Sequence, residues 1–390
     1  MPCVISVFGV EPFRIGGTET YARELSLQLK GHGWHSVLVF LTSPSPEVRQ
    51  FLDLPNVSIE VLDRAVGLNW PALQRMTRIL RKYRPRILHL HYTGLLSPYP
   101  WLARLLSVEQ VFFTDHASQP AAHVPQRASL WKRYLARLIN WPLSRVISVS
   151  NYGYRCLTAR DLFPANRCEM IYNGVDLTRV SESAQRARDF RQRFAISSER
   201  KIVLQVSWII PEKGIADLLS AARIVVSQNS NAHFVIVGEG PFRTQYMSDA
   251  AEMGLDGHIT WTGLLADPFT EGVYDAADIV CQVSRWEEVF GWVIAEAMAY
   301  HKPIIATRVG GIPELVTDEE SGFLLTRGDV DELARKILIL IVDPRQQKLM
   351  GQVGHDAVHA KFDLRKNVTQ LLRAYGIEDA DRELSAGVTE

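Results

Sequence analysis

Two carboxylates, Glu288 and Glu296, stand eight residues apart in the run Glu287-Glu288-Val289-Phe290-Gly291-Trp292-Val293-Ile294-Ala295-Glu296-Ala297-Met298-Ala299. Ala295, Ala297, Met298 and Ala299 are good helix formers, and Gly291 permits close backbone approach, so the sequence predicts a loop that turns into a helix. Eight helical steps would separate the carboxylates by about 12 Å along the axis and roughly 80° around it. That is too far for a pair sharing one proton or one metal ion. It suits two contacts on different parts of an elongated ligand, with the helix N-terminus between them facing an anion. A nucleoside diphosphate sugar, with sugar, pyrophosphate and ribose in line, has that shape. Taken alone, the two glutamates also fit an amphipathic core helix with two surface charges.

Other residues suited to chemistry sit at the ends of apolar runs. Asp115-His116 follows the strand-like Val111 to Thr114, and ligands of doubly wound sheets bind at the carboxyl ends of strands. A hydrogen-bonded structural histidine is the alternative. His89 and His91, at the end of Ile87 to His91, point the same way at strand spacing. No third metal ligand accompanies them, and they are expected to line a cleft. Ile15-Gly16-Gly17-Thr18-Glu19 lies between the apolar run Val4 to Phe8 and a helix expected from about Thr18 to Lys30, stopped by Gly31. Its amides and the helix N-terminus could approach an anion. It is not a G-x-G-x-x-G loop, and a tight turn alone would also explain it. In the second half, Trp208-Ile209-Ile210-Pro211-Glu212-Lys213-Gly214 links an apolar strand, Lys201 to Ser207, to a helix from about Ile215 to Ser227. Strand and helix signals alternate throughout, as in parallel sheets flanked by helices.

The run around Glu288 and Glu296 resembles the E-x7-E signature of retaining glycosyltransferases of the GT-B fold, family 4. Pro303-Ile304-Ile305-Ala306-Thr307-Arg308-Val309-Gly310-Gly311-Ile312-Pro313-Glu314 resembles the same family's next block. The resemblance extends over nearly the whole chain, densely in the C-terminal half and thinly before Val146. It implies an α/β protein of two Rossmann-like doubly wound domains facing across a cleft. Residues 1–175 would form the acceptor-side domain, 176–199 a connector, and 200–363 the nucleotide-sugar-binding domain. A helix at about 364–378 would pack back on the first domain, and 379–390 would be a frayed tail.

The implied reaction is metal-independent transfer of a hexose, with retention, from a nucleoside diphosphate sugar, a UDP- or GDP-sugar foremost, to a glycan or lipid-linked acceptor. The nucleotide sugar is a substrate and no cofactor is implied. Residue by residue, the resemblance makes Glu288 the holder of the donor-sugar hydroxyls and Glu296 that of the ribose hydroxyls, since a carboxylate accepts two such hydrogen bonds. Lys213, with the backbone of Val289, Phe290, Gly291 and Trp292, would stabilise charge on the leaving diphosphate. Backbone at Leu264 would contact the base, and Gly16-Gly17 would lie near donor phosphate and acceptor. His116 would touch the donor sugar near its reacting carbon. In one place the chain departs from the family: Ser207-Trp208 replaces Gly-Arg, whose arginine joins the lysine on the pyrophosphate. Losing one such cation costs a few kcal/mol of phosphate binding; Arg285 is the candidate replacement. The departure keeps open a sugar phosphorylase on the same fold and a catalytically silent nucleotide-binding partner subunit. A nucleotide-sugar epimerase fits the E-x7-E block poorly.

The 390 residues, 47% hydrophobic and 22% charged, suffice for two domains with ample cores. No apolar run reaches the length of a membrane span, and Cys3 to Phe8 reads as a strand, not a signal peptide. Cys3, Cys156, Cys168 and Cys281 lack metal or disulfide spacing, so reduced thiols in a cytoplasmic protein are expected. Net charge is zero, yet residues 1–178 hold 20 lysines and arginines against 12 aspartates and glutamates. That asymmetry fits an acidic partner for the basic half, or simply two differently charged lobes. Residues 71–86 read as a basic surface helix. Residues 127–145 interleave cations with Trp131, Tyr134 and Trp141, a pattern of helices lying on anionic membranes and also of ordinary helices with snorkelling arginines. Peripheral contact at the inner face of an anionic membrane is therefore expected, and no nucleic-acid partner.

Overall fold

The computed structural model describes residues 1–62, 69–93, 97–123 and 126–377; the expected tail at 379–390 lies outside them. The chain forms two compact units. One comprises Met1–Ala117, residues 124–173 and the segment from Leu364; the other comprises Ser118–His123 and Gly174–Asp363.

The first unit is built on a sheet of seven parallel strands: β1 (Cys3–Phe8), β2 (His35–Phe40), β3 (Val57–Val61), β4 (Ile87–His91), β5 (Gln110–Asp115), β6 (Arg145–Ser148) and β7 (Cys168–Met170). Their order is β3-β2-β1-β4-β5-β6-β7. β1 and β4 are buried along their whole length, as strands covered on both faces must be. Alternation along β1 divides its side chains between two cores. Val4 packs with Leu25 and Leu29 of the helix Gly17–Gly31 and with Val368 and Leu372 of the helix Leu364–Tyr375. Ile5 and Val7 pack with Met76 and Ile79 of the helix Trp70–Tyr83. The helix ends at Gly31, as expected, and the left-handed residue just beyond it is Gly33, at φ 73°.

In the second unit, β8 (Lys201–Val206), β9 (Ala232–Val237), β10 (Ile259–Gly263), β11 (Ile279–Gln282), β12 (Ile304–Thr307) and β13 (Gly322–Leu325) form a parallel sheet in the order β10-β9-β8-β11-β12-β13. The helices Ile215–Gln228 and Val330–Val342 contribute Leu218, Ala222, Leu333 and Ile337 to its core. Residues 176–199 include the helix Ala184–Arg193, whose Phe190 is buried and whose Arg186 pairs with Asp275.

Both sheets share one topological feature. Strand order reverses beside the first strand, between β1 and β4 and between β8 and β11, and loops leaving the carboxyl ends of such strands frame a crevice for ligands.

Candidate active site

In the second unit, the loops after β8 and β11 are locked together by Gly214. Its φ is 69°, and a Cβ there would lie 1.9 Å from the Val283 carbonyl oxygen, so no other residue fits. This fixes Lys213, whose Nζ donates to Glu288 Oε1 at 2.5 Å. The same oxygen accepts from Ser284 Oγ at 2.5 Å and Trp286 Nε1 at 3.4 Å. Glu288 is only 8% exposed; a carboxylate so buried must be paired and hydrogen-bonded, and it is. The downstream glycine block explains itself here. Gly311 N donates to the Glu288 carbonyl at 2.7 Å, and Gly310, at φ 54°, lies where a Cβ would be 2.0 Å from that oxygen. Glu287 closes the loop from the other side, accepting from Gly310 N, Ala122 N and Arg327 Nη2 at 2.7, 3.0 and 2.7 Å.

The helix that follows spans Trp292–Ala299 and is entered through Gly291 at φ 117°. Glu288 therefore sits on the loop, and the eight-step helical separation does not apply. Val289 and Phe290 are buried. Phe290 packs edge-on against Trp292 and Phe362. One turn along the helix, Glu296 Oε2 accepts from Tyr274 Oη at 2.5 Å. Tyr274 is fully buried and stacks on Tyr300, a rigid support for the carboxylate. Leu264 is 39% exposed just after β10, and Trp208 is 47% exposed just after β8.

Arg285, the candidate replacement for the missing arginine, is held by Asp217: its Nε and Nη2 donate to the two carboxylate oxygens at 2.8 and 2.5 Å, a bidentate pair, while about half of its side chain stays exposed. In the Gly16-Gly17 loop, Gly16 N donates to Glu19 Oε2 at 3.0 Å, so the helix caps itself with its own acid. Burial holds the Glu19 carboxyl above the usual carboxylate range.

In the first unit, His116 follows β5. Its Nε2 lies 3.2 Å from His91 Nδ1, and its ring stacks on Tyr92 at 4.2 Å. His89 bonds Tyr375 Oη at 2.5 Å through Nδ1 and Thr114 Oγ1 at 2.7 Å through Nε2. His89 and His91 are fully buried; His91, with Thr114 and His116, lines a small cavity of the first unit. His116 keeps part of its surface open to solvent but is densely surrounded, and desolvation pushes it down to about 3. His89 is pushed down to about 3 in the same way, with help from the neighbouring His116. These imidazoles are neutral near pH 7, so His116 offers hydrogen bonds and is a poor proton acceptor. Among the described residues, no group of three or more His, Cys, Asp or Glu is placed to hold a metal ion.

Glu287 opens the recognisable run, Ser284 and Trp286 lie just before it, and none of the three was singled out by sequence. Tyr274, 22 residues before its partner Glu296, carries no local signal at all.

The family model for glycosyl transferases group 1 matches residues 187–356, and that for glycosyltransferase family 4 matches residues 15–179. Similar proteins include a GDP-mannose-dependent alpha-(1-6)-phosphatidylinositol monomannoside mannosyltransferase of Mycobacterium tuberculosis, 27% identical over 93% of this chain and 95% of that one. An alpha-D-kanosaminyltransferase of Streptomyces kanamyceticus is 26% identical over 79% and 81%. Among solved structures, Anabaena Alr3699/HepE in complex with UDP and glucose superposes with a TM-score of 0.77 at 19% identity, over 96% of this chain and 99% of that one. Sucrose-phosphate synthase from Thermosynechococcus elongatus gives 0.78 at 23%, over 99% and 100%. Matched by family models in both halves and by such structures along nearly its full length, the chain belongs to the group 1, family 4 glycosyltransferases of the GT-B fold.

Proposed function

We propose that this glycosyltransferase moves a hexose from a UDP- or GDP-sugar to a glycan or lipid-linked acceptor, with retention at the anomeric carbon and without a metal ion. The observation that carries the reading is the Lys213–Glu288–Ser284 cluster at the switch point of the second sheet, with Glu296 on the helix that follows. Among the described residues, Lys213 pairs with Glu288. A bound diphosphate competes for that ammonium, and Glu288 then turns its accepting capacity to sugar hydroxyls. Glu296, oriented by Tyr274, takes the ribose. Lys213 and the backbone from Val289 to Trp292 stabilise the charge that grows on the leaving diphosphate. The leaving phosphate takes the acceptor proton, on the face from which the acceptor attacks. His116, neutral, contributes a hydrogen bond to the donor sugar. The names of relatives support both bases: a GDP-mannose-dependent enzyme by sequence and a UDP complex by fold.

Thermal unfolding with UDP, GDP, ADP, CMP and their common sugar conjugates tests the reading. At a hundredfold excess over Kd a ligand adds about 2.7 kcal/mol of stability. One diphosphate should raise the melting point of the native protein and fail on Glu296→Ala, and turnover should persist in EDTA. Silence across the panel would overturn the donor assignment. Turnover of the donor with inorganic phosphate would place the protein among sugar phosphorylases instead.

A further inference from the structure

The helix Leu130–Ile139 is inside out for a soluble domain. Leu130, Trp131, Tyr134, Leu135 and Leu138 fall within about 140° of its circumference, and they are 67%, 63%, 71%, 47% and 64% exposed. No residue of the helix is buried. Its other side carries Arg133 and Arg137, which reach Asp161 together with Arg127 from the preceding turn. The helix is thus fastened to the unit by its cations, and its apolar face is presented outward. Neighbours extend that face. Trp141 is 63% and Trp101 40% exposed, with rings stacked at 6.2 Å. Trp101 Nε1 donates to the Ile139 carbonyl at 2.7 Å, and Leu105, one turn beyond Trp101, is 78% exposed. Contiguous apolar surface of this kind marks an interaction site.

The charge around it selects the partner. Lys132 lies over the Trp131 ring at 5.6 Å, and Arg127 and Arg137 are 68% and 41% exposed. Asp161 is the single carboxylate that three arginines share, so the rim is positive. A second copy meeting this face would set those cations against each other. An anionic bilayer neutralises them, receives tryptophan and tyrosine at headgroup depth, and takes the leucines at the acyl boundary. Among the described residues, no helix is long and apolar enough to cross a membrane. We propose that this face docks peripherally on an anionic lipid surface. The proposal does not depend on the identity of the sugar donor.

Flotation of the full chain with phosphatidylcholine vesicles, with and without phosphatidylglycerol, tests it. The protein should float with the phosphatidylglycerol vesicles at low salt, sediment away from pure phosphatidylcholine, and be released by high salt. Leu135→Glu combined with Leu138→Glu should weaken the association at least about tenfold while leaving the melting point and any nucleotide-induced shift in place, because both side chains are exposed. Absence of wild-type flotation, or equal flotation of the double variant, would overturn the proposal. So would a wild-type dimer in analytical ultracentrifugation that the double variant dissolves, which would assign the face to a second copy.

Discussion

One oxygen of Glu288 accepts from Lys213, Ser284 and Trp286, a concentration of donors that only a full negative charge justifies. Glutamine at this position keeps the volume but leaves Lys213 facing a neutral amide whose nitrogen cannot accept. Charge-assisted hydrogen bonds contribute about 1.5–3 kcal/mol each. Glu288→Gln should therefore lower kcat by about 100-fold with little change in far-ultraviolet circular dichroism. Steady-state turnover within a factor of two of the native enzyme would remove Glu288 from the chemistry. The same residue scale shows where sequence is mute. Arg285 and Asp217 are 68 residues apart, and Tyr274 and Glu296 are 22 apart; such partners meet only through the fold. Arg285 is the candidate stand-in for the arginine that Trp208 displaces, and its bidentate partner Asp217 has no local signal in the sequence.

At the scale of elements, much was legible, because buried parallel strands are near-continuous apolar runs that chemistry punctuates at their carboxyl ends. Asp115-His116 after β5, Lys213 after β8 and Glu288 after β11 all follow that rule. Helix starts were less legible. Gly291 in a left-handed conformation delays the helix to Trp292, a backbone choice that favourable helix propensity downstream conceals. The loop at Gly16-Gly17 reads in sequence as an anion site or a tight turn, and the cap that Glu19 makes with the Gly16 amide is a local detail that neither reading contains. The glycines after β12 were recognisable as a block but not for what they do, which is to let two backbones touch at Glu288. Gly310→Ala puts a methyl 2.0 Å from the Glu288 carbonyl at a left-handed φ of 54°. Strain of that order costs about 1–3 kcal/mol, and relieving it must move Glu288. The variant should unfold at lower urea and lose turnover along with stability. An unchanged urea midpoint would mean that the contact yields without consequence.

For the molecule as a whole, the histidine core of the first unit makes stability depend on pH. His89 joins β4 to β5 through Thr114 and to the helix Leu364–Tyr375 through Tyr375, so the segment nearest the C-terminus and the middle of the sheet meet at one imidazole. That ring is fully buried and is held down to about 3, against about 6.5 in an unfolded chain. Between these values the unfolded state binds a proton that the folded state refuses. The stabilisation is therefore complete above about pH 7 and drains away as pH falls through 6.5 towards 3. From about pH 7.5 to 5.5 the loss from one such histidine is about 1.4 kcal/mol. His91 and His116, lowered by burial as well, add in the same direction. Glu19 and Asp115, whose carboxyls burial raises, pull the other way, so the informative quantity is a difference. Urea unfolding followed by tryptophan fluorescence at both pH values should show the native protein losing more stability on acidification than His89→Gln does, by about 1.4 kcal/mol. The glutamine variant will be less stable at either pH, but it has no proton to take up. Equal losses in the two proteins would mean that His89 carries its charge inside the fold, in which case Tyr375 and Thr114 hold an imidazolium and the neutral assignment of the whole cluster, His116 included, is wrong.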